Sequence, residues 1–154
     1  GLGDVYKRQD LYSRKIISWV LSETLEASHV VECVEKAKRV RNVEKPLIFH
    51  CDRGCQYVSE AFQKATKGMI HSYSKKAYPW DNACIESFHA LLKREWINRF
   101  KIFNYAHAHK LIFEYIETFY NTVRIHSHCG YLSPNEYEEQ YLENIEENAI
   151  KIAS

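Results

Sequence analysis

Leu47-Ile-Phe-His-Cys-Asp52-Arg-Gly54 is a short run of strand-forming side chains that ends on a carboxylate and a glycine. Pro46 closes the loop before it, so residues 47–51 read as a short buried strand, and Gly54 lets the chain turn just past Asp52. A carboxylate at a strand end beside a turn is well placed for chemistry.

Working outward, Ile16-Ile-Ser-Trp-Val-Leu21 reads as an earlier strand, rich in β-branched and aromatic residues. Between the two, Val30, Val31, Val34, Ala37 and Val40 recur at helical spacing from a cap at Ser28, with Glu32, Glu35, Lys36 and Arg39 on other faces. Downstream, residues 59–67 read as a helix stopped by Gly68, and residues 69–73 as a third strand. After Pro79, Asp81 or Asn82 can cap a helix to about Arg99 whose Ile85, Phe88, Leu92 and Trp96 form one stripe. A further helix over residues 105–121 points Ala108, Leu111, Ile112, Tyr115 and Phe119 inward. Ser133-Pro134 opens a last, acidic helix, proline being pre-organised for the first helical position. Strands alternating with helices predict an α/β fold. Residues 1–9 show no clear apolar period.

The chain has 154 residues, enough for one substantial core, and 45% hydrophobic against 27% charged residues is a globular composition. No apolar run approaches the length of a bilayer crossing and no apolar signal region opens the sequence, so no membrane partner and a cytoplasmic location are expected. Five cysteines without a C-x-x-C pair fit reduced thiols better than a disulfide framework or a zinc site. The net charge of +1 hides an asymmetry: residues 134–154 hold six glutamates and one lysine, leaving the preceding 133 residues with an excess of six positive charges. A moderately basic body suits a polyanionic partner.

Asp52 at a strand end and Glu86 at the start of a helix can converge across a sheet although 33 residues separate them. Two carboxylates suit magnesium, which takes oxygen ligands and completes its shell with water and phosphate oxygens, as phosphoryl transfer requires. The histidine pairs His107-x-His109 and His126-x-His128 diverge on a helix and read as surface or packing residues. There is no glycine-rich phosphate loop and no G-x-S-x-G.

Two longer words sharpen this reading. His50-Cys-Asp52-Arg-Gly-Cys-Gln-Tyr57 and Tyr78-Pro-Trp-Asp-Asn82-Ala-Cys-Ile-Glu86-Ser-Phe-His-Ala-Leu-Leu-Lys93-Arg-Glu resemble the second and third acidic motifs of insertion-sequence transposases of the retroviral integrase superfamily. Asp10-Leu-Tyr-Ser-Arg-Lys, Phe119-Tyr-Asn121, Arg124-Ile-His-Ser and Gly130-Tyr-Leu-Ser-Pro134 extend the resemblance over residues 10–141.

The resemblance implies a ribonuclease H-like mixed sheet flanked by helices, a C-terminal helical extension, and metal-dependent cutting and joining of DNA strands at transposon ends. By position, Asp52 and Glu86 match the second and third catalytic, metal-holding acids, served by magnesium or manganese, two ions in the intact enzyme. Lys93, two helical turns after Glu86, matches a DNA-contacting position, and Arg53, Lys75, Lys76 and Arg94 beside the motifs are further candidates for DNA. The expected partners are transposon-end and target DNA, a homo-oligomer on that DNA, and a helix-turn-helix region or partner product that this sequence does not contain. In the family the first acid lies on a strand upstream of the Asp10 motif, and neither Asp4 nor Asp10 matches it. Residues 1–9 are therefore expected to be a foreign segment, residues 10–121 a partial catalytic core with its first strand missing, and residues 122–154 a C-terminal extension. The interval from Asp52 to Glu86 is also slightly shorter than the family's. The fragment is expected to be catalytically inactive, and the alternative is a non-catalytic DNA-binding or merely folded remnant.

Overall fold

The computed structural model describes residues 3–42, 46–52, 59–75 and 83–153. Four strands and five α-helices follow in the order β1 (Asp4–Gln9), β2 (Ile16–Ser22), α1 (Ala27–Val40), β3 (Ile48–Cys51), α2 (Glu60–Ala65), β4 (Ile70–Tyr73), α3 (Ala83–Glu95), α4 (Tyr105–Phe113) and α5 (Pro134–Ala153). The strands form two pairs, β1 antiparallel to β2 and β3 parallel to β4.

β2 is the best-buried strand because both of its faces are covered, which is why it reads as a nearly continuous apolar run. The Ser18 hydroxyl donates to the Cys33 carbonyl of α1 at 2.6 Å, while the Trp19 indole donates to Glu117 at 3.0 Å from the opposite side. β1 was not visible as an apolar pattern, yet Asp4–Gln9 pairs with β2 residue by residue up to an irregularity at Arg8 and Gln9. The turn between them is shaped by Asp10, whose carboxylate accepts from the Tyr12 and Ser13 amides at 2.8 and 2.9 Å.

Two apolar clusters result. One joins Ile16, Trp19 and Leu21 of β2 to Phe88 and Leu92 of α3 and to the α4 region. The other joins Val30 and Val34 of α1 to Phe49 and Cys51 of β3 and Phe62 of α2. Each fully buried large side chain, such as Phe62 or Phe88, contributes roughly 2 kcal/mol by leaving water.

Several expectations are corrected. α1 begins at Ala27 after Glu26, not at a Ser28 cap, and its inward face is Val30, Cys33 and Val34, with Val40 61% exposed at the end. β3 is buried through Phe49 and Cys51, while Leu47 and Ile48 are exposed, 44% and 66%. α3 stops at Glu95 and a 3-10 turn over Ile97–Arg99 follows; Trp96 still packs half-buried against the cluster of Phe88 and Leu92, whereas Ile85 is exposed. The helix expected over residues 105–121 is α-helical only to Phe113. A π-helical stretch, Glu114–Tyr120, continues it, and Asn121 donates to the Ile116 carbonyl five residues back. Wider turns shift the inward face, so Ile116 and Tyr120 are buried and Phe119 only partly so. Gly68 ends the α2 region at φ +86°, as read from the sequence, whereas Ser59, read as the first helical residue, instead caps α2 by accepting from the Phe62 amide.

Candidate active site and nucleic-acid face

Asp52 stands exposed immediately after β3, and the strand pair beneath it is firmly registered. Cys51 lies opposite Tyr73, and the Ser74 amide donates to the Cys51 carbonyl at 3.0 Å, carrying the ladder up to the residue before Asp52. His50 crosses the same pair, one ring nitrogen 3.0 Å from the Ser72 hydroxyl and the other 3.2 Å from the Ser74 hydroxyl. Lys75, exposed, follows the matching end of β4.

Glu86 is exposed in the first turn of α3 and Lys93 is exposed two turns later. Residues 86, 89 and 93 fall on one helical face by their spacing. His89 and Lys93 line a cavity of about 600 Å³ together with Asp52 and Asp4, over a floor that includes Leu92 and Ile112. The structure therefore brings Asp52 and Lys93 to one opening. Glu86 is not among the cavity's lining residues, although it lies one turn before His89 on the same face. Arg94 is exposed beside Lys93 and lines no part of it. Arg53 and Lys76 lie outside the described residues. Among the described residues, no three His, Cys, Asp or Glu side chains are grouped closely enough to hold a metal ion.

His89 was not singled out from the sequence, although its place three residues after Glu86 and four before Lys93 is a signal that could have found it. Burial lowers its pKa below the ordinary imidazole value, the Lys7 and Lys93 charges add to this, and Asp4 opposes it. The ring is thus held neutral beside a basic residue at the mouth of the cavity.

A clamp at its C-terminal end fixes α3. Arg124 forks onto Glu95 with Nε 2.8 Å and Nη2 2.7 Å from carboxylate oxygens, and the Tyr115 hydroxyl donates to the same carboxylate at 2.8 Å. The Arg124 hydrogen bonds hold the Glu95 pKa below the usual carboxylate range against burial, while burial and the neighbouring carboxylate push the Tyr115 phenol far up. Bidentate and about four-fifths buried, this pair is worth more than an exposed ion pair. In this contact Arg124 is structural.

The His107-x-His109 pair behaves as packing residues: His107 accepts from the Phe103 amide and stacks on its ring, and His109 lies against Trp19. Asp10 shapes a turn and pairs with Arg41 at 3.6 Å. The four described cysteines carry free thiols.

Comparison with known proteins agrees with this arrangement. Two family profiles, each described as an integrase core domain, match residues 5–80 and 67–134. The chain belongs to the integrase core family. Among similar proteins, the transposase for insertion sequence element IS904 of Lactococcus lactis is 41% identical over 132 residues, 84% of this integrase core and 52% of that transposase. Transposase InsF for insertion sequence IS3A of Escherichia coli K12 is 37% identical over 135 residues, 86% and 47% of the two chains. The integrase core described here thus spans about half the length of these curated relatives. The catalytic core domain of HTLV-2 integrase, solved in complex with magnesium in a trimeric form, superposes with a TM-score of 0.59 at 14% identity, over 88% of this chain and 92% of that one. The fold is accordingly that of an integrase catalytic core, ribonuclease H-like. No helix among the described residues is long and apolar enough to cross a membrane.

Proposed function

We propose that this chain is the catalytic core of an insertion-sequence transposase, which cleaves and joins DNA strands at transposon ends. The observation that carries the reading is the convergence of Asp52, from the end of β3, with Lys93, from the Glu86 face of α3, on one cavity. In the reaction a water, and then a DNA 3′-hydroxyl, attacks a phosphodiester. A new P–O bond forms as the old one breaks, the displaced strand leaves with the hydroxyl, and no bond to the protein is made.

Asp52 and Glu86 offer hard oxygen donors, the chemistry that magnesium or manganese prefers, with room for phosphate oxygens. Bound there, such an ion supplies Lewis acidity at the reacting phosphate. The chain's own residues do the positioning. The β3–β4 ladder presents Asp52, the Glu95–Arg124 clamp holds α3, and Lys93 holds a non-bridging phosphate oxygen as a point charge. Lys75 and Arg94, both exposed beside the site, extend the phosphate-facing surface. Neutral His89 adds a hydrogen-bonding group without adding charge. The partners are transposon-end and target DNA, engaged by a homo-oligomer, with two divalent ions in the intact enzyme.

A second reading, a non-catalytic DNA-binding remnant, is favoured by the lack of a three-ligand group among the described residues. Joining of a labelled 3′-hydroxyl oligonucleotide into plasmid DNA, with magnesium or manganese, separates the two. Products that vanish in Asp52→Asn and Glu86→Gln establish catalysis, and DNA binding without products establishes the remnant. In either case Lys93→Ala should weaken binding equally across unrelated duplexes and lower the salt slope by about one. A loss confined to one sequence would contradict the phosphate role.

A further inference from the structure

A second cavity, of about 400 Å³, opens on the other flank of α3. Cys84 and Ser87 of α3, Arg14 of the turn before β2, and Arg124, His126 and His128 form its walls. Residues 84, 87 and 91 face it, and by helical spacing they lie roughly opposite the 86, 89, 93 face. No carboxylate lines it among the described residues.

The groups around this cavity are donors in excess. Arg14 donates Nη1 to the Cys84 sulfur at 2.8 Å and lies 3.4 Å from Nδ1 of His128 through Nη2, and no carboxylate pairs with it among the described residues. A guanidinium cannot accept, so His128 carries its proton on Nε2, which donates to the Tyr12 carbonyl at 3.0 Å. The same logic applies to His126, whose Nδ1 lies 3.4 Å from Nη1 of Arg124. Its Nε2 therefore bears a hydrogen, and that atom is buried with no hydrogen-bond partner, in a residue only 9% exposed. Burial, then the Arg124 charge, lowers the His126 pKa to about 4, while the Tyr120 backbone and the Glu95 charge pull the other way. A buried donor left without an acceptor is costly unless something supplies one. Arg14 is also held at φ +64°, a left-handed conformation that a long side chain rarely adopts.

We infer that this cavity is a second phosphate site, which takes a backbone phosphate of the DNA strand and so steadies the strand on the flank of α3 opposite the reacting phosphate. The inference rests on the DNA-joining reading above and adds a site to it. An arginine with no carboxylate partner among the described residues, an orphaned imidazole N–H and the Ser87 and Ser127 hydroxyls suit a non-bridging phosphate oxygen, and no carboxylate is among the described lining residues. Because Ser87 adjoins Glu86, a strand crossing the N-terminal half of α3 meets both flanks.

Two measurements on the full chain test this. In the first, inorganic pyrophosphate is titrated into protein with ¹⁵N-labelled histidines. The His126 and His128 ring signals should shift saturably, and Arg14→Asn, which tolerates the left-handed backbone, should abolish the shift. In the second, binding of labelled DNA is followed by anisotropy. Arg14→Asn should weaken it about tenfold irrespective of sequence, His128→Gln should weaken it less, and Arg14→Lys should recover most of the loss, with the melting temperature of each variant read alongside. Unmoved histidine signals, or DNA affinity unchanged in Arg14→Asn while Lys93→Ala weakens it, would overturn the second site and leave the reading of function standing. Pyrophosphate binding by a chain that takes up no DNA would overturn both.

Discussion

Lys7 is the least comfortable residue in the chain. It sits 8% exposed in β1, its ammonium 4.9 Å from the Phe88 ring centre and 2.8 Å from the Gln9 side chain, with no carboxylate bound to it among the described residues. Burial is the main force pushing its pKa down, from 10.5 to about 8. A lysine that holds its proton less tightly in the folded state than in the unfolded state weakens the fold while both are charged. That cost disappears as pH rises from about 8 to 10.5, where the unfolded chain alone keeps the proton. Stability should therefore increase with pH in that window by up to the order of 3 kcal/mol, and Lys7→Met should remove the increase. Urea midpoints of the two proteins at pH 7 and pH 10 check it, and parallel curves would refute it. Other residues were far more legible: Asp52, Glu86 and Lys93 stand out by motif and spacing, and Asp52 and Lys93 do share an opening. His89, Arg14 and His126 were not, because their significance lies in what they face across the chain and not in what surrounds them in sequence.

At the level of elements, the periodicity of α1, α3 and α4 was readable because each buries one stripe, and Gly68 marked an end through local backbone chemistry. The π-helical stretch was not readable, since residues 114–120 keep an apolar pattern compatible with either turn and tertiary packing decides between them. β1 escaped because pairing with β2 supplies its order, whereas its own residues do not alternate. The start of α5 was fully legible. Ser133 and Glu136 cap it reciprocally: the Ser133 amide donates to the Glu136 carboxylate at 2.8 Å and the Glu136 amide to the Ser133 hydroxyl at 3.3 Å. These bonds to Ser133 also hold the Glu136 pKa below the ordinary carboxylate value. Ser133→Ala should cost about 1 kcal/mol in urea unfolding, and Ser133→Asp, which can still cap, should restore most of it. No difference between serine and alanine would show that Pro134 and packing alone start the helix.

Across the whole molecule, the two carboxylates proposed to hold the metal belong to different cores. Asp52 stands on the cluster of α1, β3 and α2, and Glu86 on the cluster of β2, α3 and α4. Among the described residues α5 is attached to this body through its first turns, where Glu138 engages Ser13, Lys15 and Arg41 and Tyr137 and Tyr141 pack on Tyr12. Beyond Glu138 every described residue of α5 is exposed. The helix is thus an acidic arm on a basic body, and the molecule is an electric dipole. Near a polyanion such a dipole feels a torque that turns the body inward and the arm outward before any contact forms. Orientation would then be settled during diffusion, and collisions that present the arm would be rejected by repulsion alone. Removing residues 143–153 should quicken association with DNA at low salt, most of all for unspecific duplexes, and the gain should fade as salt shortens the reach of the field. Stopped-flow association rates for the trimmed and full chains between low and physiological salt measure this directly, and equal rates at low salt would mean that the arm does not steer.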